Sequence, residues 1–381
     1  MLEKRNKKIE KEIHKMIKKL LFTLLVLVTF NGFSQNLSLS EQAKVSILTC
    51  GTGPESYAMY GHTAIRIQDK ITGLDVVYNY GAFDFSTPNF IGRFVKGDLQ
   101  YFVTNESYID FYYNYQAENR AIIEQELTLN PIQVKQLFEQ LNASVYSDER
   151  FYTYKFIDRN CTTMVVDKIN NTLGKEYIQS ATSDQSYREL LYPYMSDFYM
   201  KLGIQIIFGT KVDEPATRLF LPYEFESALS KTKVNGVSLE KSNTTVFNAQ
   251  PTKVPFNGLN SIYSLIGVLL LLALFGKKWI PIIYFTMAGL LGLFFSLVGL
   301  YSLHEELLWN YNILLFNPIL LIYVWYYWKE NKSKTILASK IILGCLVLYL
   351  VYMLNKIHLG IVWPFILLHG YWLLKNVLKK D

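Results

Sequence analysis

The sequence is poor in charged residues and in cysteine. Only 18% of its 381 residues are charged, which is low against about 25% in an average soluble protein. Three cysteines cannot form a disulfide framework, although a Cys50–Cys161 pair stays open in an oxidising compartment. The net charge of +6 lies mainly in the leader and in short lysine clusters, so it indicates no nucleic-acid partner. The sequence also lacks a metal-ligand cluster and a Gly-rich phosphate loop, so we expect no metal and no cofactor.

Apolar residues are abundant and unevenly placed. They make up 50% of the chain, and beyond about residue 260 they form five runs, each near the roughly 20 residues that cross a bilayer core. The runs are 261–275, 279–301, 312–328, 336–354 and 358–376. We therefore predict four parts: an N-terminal extension and signal peptide or anchor helix (1–35), a periplasmic domain (36–230), a linker (231–258) and a bundle of five transmembrane helices (259–381).

The lysines between the apolar runs fall on alternate connectors. Lys277 and Lys278, the segment KENKSK (329–334) and the C-terminal tail carry them. The positive-inside rule puts these connectors and the C-terminus in the cytoplasm. Five crossings then place the preceding domain in the periplasm, on the outer side of an inner membrane. The stretch MIKKLLFTLLVLVTFNGFSQ (16–35) agrees, because it is typical of a secretory signal peptide; an uncleaved anchor helix is the alternative.

The domain before the apolar runs has the pattern of a mixed fold. Alternating residues predict strands at 44–50, 63–69, 75–81 and 121–129, and a further strand around Gly97. Asn130 and Pro131 predict the start of a helix, and a second helical pattern follows FIDRN and stops at Gly174, with Asp158 or Asn160 as its cap. Strands and helices in this order predict an α+β domain.

Cys161 falls in the first turn of the second predicted helix. Free backbone N–H groups and the helix dipole favour a thiolate there, and a thiolate is a competent nucleophile. The only histidine between residues 15 and 303 is His62, which we take as the candidate base. Pairing the hairpin about residues 70–73 brings Asn79 opposite His62 as the group that orients the imidazole, with Asp75 as the alternative. The competing interpretation is a buried cysteine and an unrelated histidine.

Several segments resemble a known family. The segments GHTAIRI, VYNYGAFDF, FVKGDLQYFV, YQAENRAIIEQELTL and RNCTTMVVDKI resemble the periplasmic domain of Lnb-type lipoprotein N-acyltransferases, and the similarity extends into the membrane region. That family is similar to circularly permuted NlpC-type, papain-like folds, in which the histidine strand precedes the cysteine helix. The resemblance implies Cys161 as nucleophile, His62 as base and, less directly, Asn79 as their polar partner.

The resemblance also implies the reaction. Cys161 would take an acyl group from a phospholipid or another lipid ester as a thioester, and pass it to the N-terminal amine of an S-diacylglyceryl cysteine on a lipoprotein. His304, Glu305 and Asn310, at the periplasmic mouth of the helices, are candidate substrate-binding residues; a solvated interfacial loop is the alternative. A cysteine hydrolase of the same fold (a peptidoglycan endopeptidase or a phospholipase) and a non-catalytic membrane assembly factor are the competing functions.

Overall fold

The computed structural model describes residues 13–19, 38–179, 184–251 and 255–378. By its contacts the chain separates into one unit of Met1–Ser40 and a second unit of Glu41–Asp381. Residues 13–19 of the first unit are helical. The remainder of the predicted extension and signal segment, 1–35, lies outside the described residues.

The core of the second unit's N-terminal part is a seven-stranded antiparallel sheet. Its strands are β1 (Lys44–Cys50), β2 (His62–Asp69), β3 (Leu74–Ala82), β4 (Gln100–Ser107), β5 (Ile122–Leu127), β6 (Phe151–Thr153) and β9 (Glu240–Phe247), in the order β6-β4-β3-β2-β1-β5-β9. A two-residue hairpin, β7 (Lys233–Val234) with β8 (Val237–Ser238), stands apart from it. The four alternating segments predicted as strands are all strands, which confirms them.

Helices lie between the strands along the chain and lead to the apolar C-terminal part. They are α1 (Phe90–Lys96), α2 (Tyr108–Ala117), α3 (Pro131–Tyr146), α4 (Cys161–Leu173), α5 (Tyr187–Leu191), α6 (Phe198–Ile207) and α7 (Pro222–Leu229). Asn130 and Gln133 form a capping box at the start of α3, as Asn130 and Pro131 predicted. A mixed α and β fold is thereby confirmed for this part of the chain.

Two segments differ from their predictions. The segment around Gly97 is not one strand, because α1 ends there: Gly97 adopts φ 76° and its N–H bonds Arg93, after which β4 begins. A left-handed C-terminal glycine is a common helix stop. The composition of 231–258 predicted a linker, yet it contains β9, which pairs with β5 at the edge of the sheet. Its polar residues fit an exposed edge strand.

The C-terminal part is helical and apolar. It contains α8 (Ile262–Leu274), α9 (Trp279–Tyr301), α10 (Ile319–Trp328), α11 (Lys332–Met353) and α12 (Leu359–Leu378). Four segments in the described residues are long and apolar enough to cross a membrane: Trp279–Tyr301, Glu305–Trp328, Lys332–Met353 and Leu359–Leu378. The first predicted crossing, 261–275, is shorter than expected, because α8 has only 13 residues.

The sheet domain and the apolar helices share buried contacts. The backbone N–H of Gly209 donates to the carbonyl of Glu306 at 2.7 Å, and that of Thr210 donates to the carbonyl of Leu308 at 3.2 Å. One cluster of buried side chains includes Phe208 and Phe220 together with Val298 and Leu307 from the apolar part. The loop after α9 is therefore packed against the sheet domain and hydrogen-bonded to it.

Candidate active site

Cys161 is the first residue of α4. Asn160 caps this helix: its side chain accepts from the N–H of Thr163, and the Thr163 hydroxyl accepts from the N–H of Asn160. The first intrahelical bond runs from the N–H of Met164 to the carbonyl of Asn160. The N–H groups of Cys161 and Thr162 therefore precede the helical ladder, where they favour negative charge on a nearby atom.

His62 is the first residue of β2, and its approach to Cys161 is fixed by its neighbours. Gly61 adopts φ 82°, and a Cβ there would lie 2.6 Å from the carbonyl of Cys50, so this tight entry to the strand requires glycine. One residue later, the Thr63 hydroxyl bonds the Thr162 hydroxyl at 3.0 Å in a buried contact. This bond joins the starts of β2 and α4, and so brings the imidazole beside the thiol.

The electrostatics of the site favour the thiolate. Burial raises the pKa of Cys161, but the charge of His62 and its hydrogen bond to the sulfur outweigh burial and bring the pKa below its ordinary value. The backbone N–H of Thr63 and the hydroxyl of Thr162 lower the pKa further. These partners favour the thiolate, which is the form of cysteine that can act as a nucleophile.

A third side chain fixes the orientation of the imidazole. Asn79 on β3 accepts from Nε2 of His62 at 3.1 Å, and its Nδ2 donates to Oε1 of Glu106 at 2.9 Å. The other oxygen of Glu106 accepts from Asn114 at 3.3 Å, so the carboxylate determines which way the Asn79 amide points. With the amide held this way, the neutral imidazole of His62 carries its proton on Nε2, which leaves Nδ1 as the nitrogen that can accept a proton.

The structure thus places three of the predicted residues together, and adds a fourth. Hairpin pairing puts Ala64 opposite Asn79, which is why Asn79, and not Asp75, reaches His62. Asp75 instead pairs with Arg66 at 2.7 Å. Glu106 was missed by sequence reasoning, since its position depends on the pairing of β3 with β4 across 27 residues; only the alternation of β4 around it gave a signal.

Comparison with known proteins gives a family match. Residues 30–192 match a family model described as the Lnb N-terminal periplasmic domain. This part of the chain belongs to the Lnb family. No curated protein and no solved structure matches the chain. With four membrane-length helices in its described residues, the chain is a membrane protein with a periplasmic Lnb domain.

The remaining cysteine of the Lnb domain is not part of a disulfide. Cys50, Cys161 and Cys345 are all free, so the Cys50–Cys161 pair left open by the sequence is not formed in this structure. Cys50 is fully buried on β1, opposite His62 in the sheet register. Burial raises its pKa far above the ordinary value, so Cys50 is held as a neutral thiol beside the site.

The residues predicted at the mouth of the helices lie at the joint with the Lnb domain. Nε2 of His304 bonds the carbonyl of Phe94 at 2.9 Å. The Nδ2 of Asn310 donates to the carbonyls of Ile206 and Ile207 at 2.9 Å each. Glu305 is exposed in the short 3-10 turn Glu305–Leu307. The structure does not bring these three side chains to the sulfur, and their role in substrate binding stays a prediction.

Proposed function

We propose that the chain is a membrane-bound lipoprotein N-acyltransferase that carries the acyl group on Cys161. The observation that supports this most directly is the arrangement of thiol, imidazole, amide and carboxylate in an Lnb domain joined to membrane helices. Cys161 is the nucleophile, His62 the general base and acid, and Asn79 the group that orients the imidazole. Glu106 is a positioning residue, because it acts through Asn79.

The first half-reaction forms the thioester. The Cys161 thiol gives its proton to Nδ1 of His62, and the sulfur attacks the ester carbonyl of a phospholipid or another lipid ester. The N–H groups at the start of α4 face the negative charge that develops on the carbonyl oxygen. The carbon–oxygen ester bond then breaks, His62 protonates the leaving alcohol, and a lysolipid departs.

The second half-reaction transfers the acyl group to nitrogen. The N-terminal amine of an S-diacylglyceryl cysteine attacks the thioester carbonyl, and His62 accepts a proton from that amine. The carbon–sulfur bond breaks and the thiolate of Cys161 returns. The balance is one ester and one amine consumed, with one amide and one lysolipid produced, and no cofactor takes part in these steps.

The position of Cys161 suits two substrates that are both held in a bilayer. The loop that leads into α4 is bonded to the end of the apolar helices: the N–H of Ile157 donates to the buried carboxylate of Glu306 at 3.1 Å. Only three residues separate Ile157 from Cys161. The thiol therefore works close to the surface from which a diacylated lipoprotein and a phospholipid would both be presented.

The ends of the helices support an inner-membrane topology with a cytoplasmic C-terminus. Lys278 pairs with Glu330, so the first and third connectors meet at one end of the bundle. On the fourth connector, Lys356 lies 3.8 Å from Asp213 of the predicted periplasmic domain, at the opposite end. Lysine-rich connectors and the Lnb domain thus occupy opposite ends, as the positive-inside rule requires of a periplasmic domain.

The same arrangement supports five crossings. A 13-residue helix such as α8 is about 20 Å long at 1.5 Å per residue. The chain leaves the helix in extended backbone at Phe275, and the three residues 275–277 add at most about 10 Å before Lys278. Together these lengths match a hydrocarbon core of about 30 Å. We therefore retain α8 as a short fifth crossing.

The fold proposed for the Lnb domain is a permuted papain-like one. Its support is the chain order, in which the strand that carries His62 precedes the helix that carries Cys161. In that class of thiol enzymes, the nucleophile lies at the start of a helix, the base at the start of a strand and the amide on the next strand. In this chain the corresponding elements are α4, β2 and β3.

Lipoprotein mass spectra test the proposed function. The chain, its Cys161→Ser variant and a Cys345→Ser control are expressed in bacteria that lack their own N-acyltransferase. We expect triacylated lipoprotein N-termini with the wild type and the control, and diacylated ones with Cys161→Ser, because an alcohol in place of the thiol is a far weaker nucleophile. Diacylated N-termini with the wild-type chain would contradict the proposal; thiol-dependent release of free fatty acid or peptidoglycan fragments would favour a hydrolase instead.

A further inference from the structure

The short helix α1 exposes apolar side chains and buries none. No residue of Phe90–Lys96 is buried. Ile91 is 77% exposed and Phe94 47%, and Phe85, in the turn before the helix, is 68% exposed. A seven-residue helix does not persist in water by its own hydrogen bonds, so contacts outside the helix have to hold it.

Those contacts come from the end of a membrane helix. The hydroxyl of Ser302 donates to the carbonyl of Val95 at 2.8 Å, and the N–H of Leu303 donates to that of Lys96 at 2.7 Å. These donors directly follow the last residue of α9, Tyr301. The helix α1 is therefore held at the end of a segment that is long and apolar enough to cross a membrane.

Glycine makes this close approach possible. A Cβ on Gly97 would lie 3.1 Å from Cδ2 of His304, and the His304 ring bonds the carbonyl of Phe94. The exposed side of α1 also continues the apolar surface of α9, where Leu300 is 86% exposed. The end of α9 and the α1 side chains held next to it are thus both apolar and exposed.

Aromatic rings connect this region with the thiol. The rings of Phe85 and Phe83 lie 4.8 Å apart, those of Phe83 and Tyr101 5.2 Å, and those of Tyr101 and Tyr154 stack at 4.4 Å. Two residues before Phe83, Gly81 borders the site: a Cβ on it would lie 3.8 Å from Cβ of Cys161. A row of contacting aromatic rings thus runs from the exposed Phe85, beside α1, into the part of the domain that holds the nucleophile.

We propose that the exposed side of α1, formed by Phe85, Ile91 and Phe94 and here called the α1 patch, inserts into the adjacent leaflet and guides the acyl chain of a glycerophospholipid to Cys161. The acyl step of this proposal rests on the proposed function, whereas the bilayer contact does not. The basic residues of α1 are already engaged, since Arg93 and Lys96 both pair with Asp98. The contact is therefore apolar, and we expect it to be insensitive to lipid charge and to salt.

Photocrosslinking of the full chain in phospholipid nanodiscs tests the bilayer contact. The photoreactive residue p-benzoylphenylalanine is placed at Ile91 and, as a matched control, at Ile132, which is 78% exposed at the start of α3. We expect lipid adducts at position 91 at least tenfold above those at 132, equal in neutral and anionic lipid. Adducts at 91 no more abundant than at 132, or present only in anionic lipid, would overturn the proposal.

A second measurement tests the guidance of the acyl chain. Thioester formation on Cys161 is followed by intact mass, with bilayer phospholipid or with a water-soluble short-chain ester as donor. For Ile91→Glu, the ratio of the two rates should fall at least fivefold, while Ile132→Glu should keep the wild-type ratio. An unchanged ratio for Ile91→Glu would refute the guidance. Lipid adducts at 91 in a chain that forms no thioester would instead refute the proposed function and leave the bilayer contact standing.

Discussion

Replacing Asn79 by alanine tests the geometry of the active site most sharply. The change removes the acceptor for Nε2 of His62 at 3.1 Å and the donor to Glu106 at 2.9 Å. When the imidazole has taken the thiol proton, the bond to Asn79 is a bond to a charged group, which contributes about 1.5–3 kcal/mol. Since 1.36 kcal/mol is tenfold in rate, thioester formation should slow by roughly 10- to 150-fold.

The assay is single-turnover thioester formation on Cys161 in nanodiscs, followed by intact mass. Asn105→Ala is the matched control, because Asn105 also lies on this part of the sheet and donates to the exposed Tyr146 hydroxyl at 3.2 Å, away from the imidazole. The control should remain within twofold of the wild type. If Asn79→Ala also remained within twofold, Asn79 would not orient the base, and the assignment of His62 through this bond would fail.

Two further predictions concern the same site. In His62→Ala, burial acts on Cys161 without the opposing charge and hydrogen bond of the imidazole, so the pKa of the thiol should rise. Alkylation by iodoacetamide should then require a higher pH. In the wild type, the pKa is lowered, so the thiolate should persist below the pH at which an ordinary cysteine is protonated, and should disappear as the pH falls through the lowered value. An unchanged alkylation profile would remove His62 from the pair. In Thr162→Val, the buried Thr63 hydroxyl loses its partner at 3.0 Å, so the free energy of unfolding measured with denaturant should fall by about 1–3 kcal/mol. For the double variant with Thr63→Val, the free energy of unfolding should fall by less than the sum of the two single changes. Strict additivity would contradict the contact.

Local signals carried most of what the sequence predicted correctly. Asn160, Cys161 and Gly174 form the cap, the first turn and the stop of one helix, and each acts within a few residues of itself. Asn79 was within reach because a tight hairpin fixes the register of β2 and β3. The positions of these residues follow from short-range geometry, which a single sequence encodes.

The features that the sequence did not predict depend on contacts distant along the chain. Glu106 becomes part of the site only through the pairing of β4 with β3. Residues 90–96 have aromatic and β-branched residues typical of a strand, yet they form a helix whose carbonyls are bonded by residues about 200 positions later. Such tertiary contacts override local preference, and no pattern within the segment reveals them.

The edge strand β9 determines where this protein can be divided. The matched family region ends at residue 192, but β5 obtains its outer partner only from Glu240–Phe247. A soluble fragment that stopped at 192 or 230 would present the backbone of β5 as an open template for pairing between molecules, which promotes aggregation. Fragments intended for crystallisation or for antibody production should therefore extend past Phe247, even though the added residues lie beyond the family boundary.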